Sequence, residues 1–163
     1  MTETQATTHP LTGRDETEEE RVDRNLQEFL GELRVALPGV QVLFAFLLVV
    51  PFNQRFPEIT DFQKTAYFIT LLFTAAASVC LIAPTAQHRV EFRRQHKEQI
   101  LLLANRLAIV GLGFLAIAMT GAIMLITDLL YGSTTTIVVT IVIGLGFAAL
   151  WYLVPVRRLV ADR

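Results

Sequence analysis

The sequence has one cysteine, Cys80. That excludes an internal disulfide framework and any CxxC site. It also has no excess of positive charge: 14 Lys and Arg stand against 15 Asp and Glu, for a net charge of -1. A strongly basic nucleic-acid-binding domain is excluded by that balance, and nucleic acid is not an expected partner. Most conspicuously, charge is missing from long tracts. Residues 35–52, 66–84, 107–127 and 137–155 contain no Asp, Glu, Lys, Arg or His. Proton relays through a bilayer use ionisable groups inside the spans, so their absence weighs against proton-coupled transport. Asp61 and Asp128 stand at the ends of these tracts, where helix-end roles suit them equally well. Enzyme signatures are lacking too: there is no HExxH, no phosphate-binding glycine loop and no G-x-S-x-G. No catalytic residue, metal site or cofactor is therefore expected.

What is present is apolar. Hydrophobic residues make up 53% of the 163-residue chain, and the mean hydropathy is +0.49. Each uncharged tract is close to the ~20 residues that carry a helix across a hydrocarbon core of ~30 Å. A soluble bundle would confine its apolar residues to a stripe on each helix. Here only Thr, Ser, Gly and Gln interrupt them. The expected fold is all-α: an integral membrane bundle of four transmembrane helices, about 38–55, 62–84, 104–129 and 135–155, with an N-terminal amphipathic helix. The first tract is not expected to be a signal peptide. It follows an acidic stretch, lacks a compact basic region before it and has no small-residue cleavage site after it.

Residues 1–20, polar, Thr-rich and acidic, read as a disordered tail. Over 21–37, Val22, Leu26, Phe29, Leu30, Leu33 and Leu37 recur at helical spacing. That amphipathic helix is expected to lie at the membrane surface or to dock on the basic stretch "HRVEFRRQHK". Pro38 and Gly39 form the expected hinge into the first span. Residues 38–52 would cover only about 22 Å, so this span is expected to run on through 53–55 with Pro51 as a kink. Thr60 and Gln63 match a capping box opening the second span. Pro84 is expected to end it, and a charged helix over 87–105 leads into the third. Ser133 or a following Thr is expected to cap the fourth, which Pro155 closes ahead of the basic tail 157–163.

Lys and Arg gather before the first span, between the second and third, and after the fourth. The positive-inside rule then places both termini and the central connection in the cytoplasm. Gln41, Asn105 and Arg106 lie at a similar inner depth. They are expected to form a polar cluster with Glu28 or Glu32 as the acidic partner, and with Arg34, His88 and Arg89 close by. The plainer alternative is a single interhelical hydrogen bond. Thr70, Thr74 and Ser78 form a hydroxyl stripe, read either as the wall of a polar pathway or as side chains bonded to their own helix. Thr140, Gly144 and Ala148 fall four apart, as do Ala118 and Ala122. Such spacing serves close packing within the bundle or an interface between copies.

The stretches "LQEFLGELRVALPGVQVLFAFLLVVPFNQRF", "LIAPTAQHRVEFRRQHK" and "ANRLAIVGLGFLAIAMTGA" resemble an actinobacterial family of small four-span membrane proteins of unknown function. Some of its members are labelled sodium:proton antiporters. The resemblance covers nearly the whole chain after the tail. It implies a bacterial plasma membrane, and its recurring features fall here on Glu32, Arg34, Pro38, Gly39, Gln41, Pro51, Phe52, Pro84, His88, Arg89, Asn105 and Arg106. It implies no catalytic residues. The expected function is a non-enzymatic accessory or assembly module with a cytoplasmic working face, partnered by the lipid bilayer and by another membrane protein or further copies of itself. The alternative is a small oligomeric cation or proton transporter or channel.

Overall fold

Thr60 and Gln63 satisfy each other reciprocally. The Gln63 N–H donates to Thr60 Oγ1 at 3.2 Å, and the Thr60 N–H donates to Gln63 Oε1 at 3.0 Å. Two backbone donors at a helix start are thereby met, and the helix begins at the next residue, Asp61. A computed structural model describes residues 18–90, 97–154 and 157. It contains α1 (Glu18–Val49), α2 (Asp61–Val90), α3 (Lys97–Leu130) and α4 (Ser133–Ala148), the last running into a π-helical turn, Ala149–Leu153. Two short 3-10 turns, Val50–Phe52 and Phe56–Glu58, make up most of the first connection. The fold is all-α, with four helices long and apolar enough to cross a membrane: Gln27–Phe52, Asp61–Ala86, Leu102–Leu130 and Ser133–Leu153. The chain is a small multi-pass membrane protein.

Three helices share one core. Leu33, Val40 and Leu47 of α1 are buried; so are Thr70, Thr74, Ala77, Leu81 and Pro84 of α2, and Ala104, Ala108, Gly111, Leu115 and Ala118 of α3. Within each helix these positions advance by threes, fours and sevens. That spacing keeps one seam facing its neighbours along the whole length of a helix. The α2–α3 contact is the most extensive, and its seam is rich in Ala, Gly and Thr. Small side chains let backbones approach where lipid supplies no hydrophobic drive. A Cβ on Gly111 would stand 2.9 Å from Leu81 Cγ and 3.0 Å from Cys80 Cβ, and one on Gly121 would collide with Thr70 Oγ1. Phe73 and Phe114 pack across the same contact with ring centroids 5.6 Å apart. Among the described residues α4 and its π turn touch no other helix than α3, so the bundle is a three-helix core with a fourth helix on one flank.

Several expected boundaries are corrected. Pro38 and Gly39 do not separate two helices, because α1 continues through both. Pro38 removes one backbone donor and its ring sits on the exposed face. Leu33, Leu37 and Val40, on either side of it, all pack on the common core and hold the helix in register. The amphipathic helix is therefore the lower part of the first span's own helix, and residues 18–20 of the expected tail already belong to it. At the other end α1 stops at Val49, not at 53–55; Pro51 lies inside a 3-10 turn and Asn53 is extended. Pro84 does not end α2 but is fully buried in the seam, where packing carries the helix past it to Val90. Ser133 is the first residue of α4 and not its cap: Gly132 precedes the helix in an extended conformation without a side-chain cap. The charged lead-in to the third span is present from Lys97. The tail 1–17, most of "HRVEFRRQHK" and all but Arg157 of the C-terminal tail lie outside the described residues.

Candidate functional site

Among the described residues the expected polar cluster is not assembled. With α1 unbroken, Glu32 lies nine residues below Gln41, about 13 Å along the axis, and Glu28 lies lower still. Glu28 pairs with Arg24, one turn earlier on the same helix, at 3.9 Å between exposed side chains. Glu32, Arg34, Gln41, Asn105 and Arg106 are all exposed. Among the described residues no ion pair joins Arg106 to Glu28 or Glu32. The reason is geometric: the buried positions next to Gln41 and Arg106 are Val40 and Ala108, and the polar side chains point away from that seam. His88 and Arg89 lie on α2, but their side chains are outside the described residues.

The hydroxyl stripe of α2 is committed to its own helix. Thr70 donates to the Ala66 carbonyl at 2.7 Å, Thr74 to Thr70 at 2.8 Å and Ser78 to Thr74 at 2.9 Å. Thr120 and Thr127 of α3 bond back in the same way, to Ala116 and Ile123. Hydroxyls bonded in this way spend their proton within their own helix. The cavity beside Thr70, about 250 Å³ between α2 and α3, is lined by Phe62, Ile69, Phe73, Ile117 and Met124 and is almost wholly apolar. On the other side of α3 a wider groove of about 490 Å³ runs beside α4. Thr140, Gly144 and Ala148 line it. A Cβ on Gly144 would rest 3.7 Å from the Thr120 methyl, so this small-residue face seats α4 on α3. The Thr140 hydroxyl oxygen is buried there without a partner among the described residues.

Two tyrosines do work that the sequence did not disclose. Tyr67 donates its hydroxyl to the Leu47 carbonyl at 2.7 Å, from α2 to α1. The residue four beyond Leu47 is Pro51, which has no N–H to give it. The phenol thus takes the place of the missing helical donor at the top of α1, and Phe56 packs edge-on against its ring at 5.4 Å. Tyr152, in the π turn, donates to the Ile109 carbonyl of α3 at 2.9 Å. Gly113 makes room for it, since a Cβ there would stand 2.8 Å from the hydroxyl oxygen. Trp151, in the same turn, packs on Phe147 of α4. At the end opposite the termini, Gln63 Nε2 donates to Asp128 Oδ2 at 2.8 Å, joining the start of α2 to the end of α3. The carboxylate opposes the dipole of its own helix but lies beside the favourable N-terminus of α2. No local sequence signal pairs Gln63 with Asp128, whereas Pro51 flags an orphan carbonyl without naming its donor.

The arrangement is one of helix-to-helix fasteners around apolar cavities. Among the described residues no three His, Cys, Asp or Glu side chains come together as metal ligands. Residues 15–155 match the family described as "Family of unknown function (DUF6328)". The chain belongs to that family. No curated protein and no solved structure matches it. This DUF6328 member therefore has its own geometry as the guide to what it does.

Proposed function

We propose that this DUF6328 chain is a non-enzymatic accessory or assembly subunit of a bacterial plasma membrane, working through the face that carries its termini. The observation behind this reading is a mismatch of lengths. Helix α4 with its π turn spans 21 residues, about 31 Å, close to a hydrocarbon core of ~30 Å. Helices α1, α2 and α3 have 32, 30 and 34 residues, about 45–51 Å. At the opposite face they are joined by short connections, so the excess of about 15–20 Å projects at the terminal end. Exposed Arg21, Arg24 and Glu28 stand on that projection in α1, with Glu32 and Arg34 at its boundary with the core, and the lower turns of α2 and α3 accompany them. A charged stalk of three helices suits the docking of another subunit.

The test compares the wild-type chain with Glu28→Lys/Glu32→Lys, purified in mild detergent from its own host. A stoichiometric membrane-protein partner held by the wild type and lost from the variant is the expected result. Sodium or proton flux through liposomes holding only the purified chain would overturn the reading in favour of a transporter, as would purification without any foreign subunit.

A further inference from the structure

Gln41 is a polar side chain in an unusual place. It lies eleven residues below Phe52, about 16 Å along α1, within the apolar span Gln27–Phe52. That depth is close to the middle of a ~30 Å hydrocarbon core. The side chain is exposed on the outside of the bundle, and among the described residues its amide has no partner. A glutamine is too short to reach either interface from there. An amide in hydrocarbon leaves its two N–H donors and its carbonyl acceptor unpaired, which is costly.

We propose that α1 pairs with α1 of a second copy of this chain, with the two Gln41 amides bonded to each other across a two-fold axis along the membrane normal. The choice of a second copy rests on the chemistry of the amide. It is donor and acceptor at once, so the same side chain in the same orientation meets both needs. Two copies in one membrane have the same topology and place Gln41 opposite Gln41. The helix carries a face suited to this. Arg34, Pro38, Gln41, Ala45 and Leu48 advance by alternating fours and threes, and all five are exposed. This face lies beside the core seam of Leu33, Val40 and Leu47, so a pair formed through it leaves the three-helix core intact. A lone polar residue on such a seam fixes register. The outer face of α4 is equally bare, but Ile137, Val138, Ile141, Val142 and Leu145 present nothing that chooses between lipid and protein.

The test uses the full-length chain in its membrane with Cys80→Ala. Oxidation of Ala45→Cys, on the proposed face, is expected to give a disulfide-linked dimer. Phe46→Cys, on the far side of α1, is expected to give little. Adding Gln41→Leu should lower the Ala45→Cys dimer about three- to thirty-fold, and Gln41→Asn should largely preserve it. Energy transfer between copies labelled at Glu58→Cys in liposomes, diluted with lipid, reads the same association without a cysteine in the seam. It should fall with Gln41→Leu. Equal cross-linking from Ala45→Cys and Phe46→Cys, or association indifferent to Gln41→Leu in both assays, would overturn the proposal. Neither assay depends on a foreign subunit, so its outcome is separate from that of the functional reading above.

Discussion

Gly111 and Gly144 both lie on α3-facing or α3-borne seams, yet an added methyl group should act differently at each. At Gly111 the new carbon would stand 2.9–3.0 Å from Leu81 and Cys80, in a tight part of the α2–α3 contact. Overpacking of this kind costs about 1–3 kcal/mol. At Gly144 the nearest atom is the Thr120 methyl at 3.7 Å, an ordinary contact. Gly111→Ala should therefore lower the unfolding midpoint in detergent, while Gly144→Ala should leave it unchanged or slightly raised. Tyr67 allows a sharper test. Tyr67→Phe strands the Leu47 carbonyl and should cost about 1–3 kcal/mol. In a Pro51→Ala background residue 51 regains an N–H, so the same substitution should cost less. A double-mutant cycle on equilibrium unfolding measures the difference, and equal costs in both backgrounds would refute the donor-replacement role.

Among the elements, α2 is fastened at its start by Gln63, which caps the helix and holds Asp128 of α3. Capping boxes accept glutamate as readily as glutamine. Here the exchange should nevertheless harm the protein, because Gln63→Glu sets a second carboxylate against Asp128. The variant should be less stable than the wild type at neutral pH and recover on acidification, as one of the two carboxyls takes up a proton. Thermal unfolding at a series of pH values checks this; a deficit independent of pH would point to lost capping instead. Much of the element structure was legible in the sequence. Four uncharged tracts announced the spans, and Thr60 with Gln63 announced a helix start. The prolines misled because their effect is decided by tertiary surroundings: Pro38 sits on an exposed face between core residues, and Pro84 is locked in a seam. The cluster around Arg106 was expected from shared depth alone. In the structure the depths differ, since Gln41 lies about 16 Å below Phe52 and Arg106 lies 24 residues, about 36 Å, below Leu130; the register of Val40 and Ala108 also turns both side chains away from the seam. Gln63–Asp128 and Tyr67–Leu47 join positions far apart in the chain, which no local pattern links.

For the whole molecule, both connections at the far end are short, and the long helices project from the end that bears the termini. The distribution of Lys and Arg predicts that this end faces the cytoplasm. Single cysteines at Thr4, Glu58, Ser133 and Asp162, in a Cys80→Ala chain, should react with an impermeant thiol reagent in intact cells only at Glu58 and Ser133. Labelling at Thr4 or Asp162 with protection at Ser133 would invert the topology. The lateral order of the helices has a mechanical consequence. Among the described residues helix α4 has a single neighbour, and its main polar tie to α3 is the Tyr152 hydroxyl on the Ile109 carbonyl. Tension applied to the C-terminal end of a chain anchored in a bilayer would load that one contact before any other. The molecule should yield in two stages, α4 drawn out first at low force and α1, α2 and α3 later as a unit, with Tyr152→Phe weakening the first stage alone.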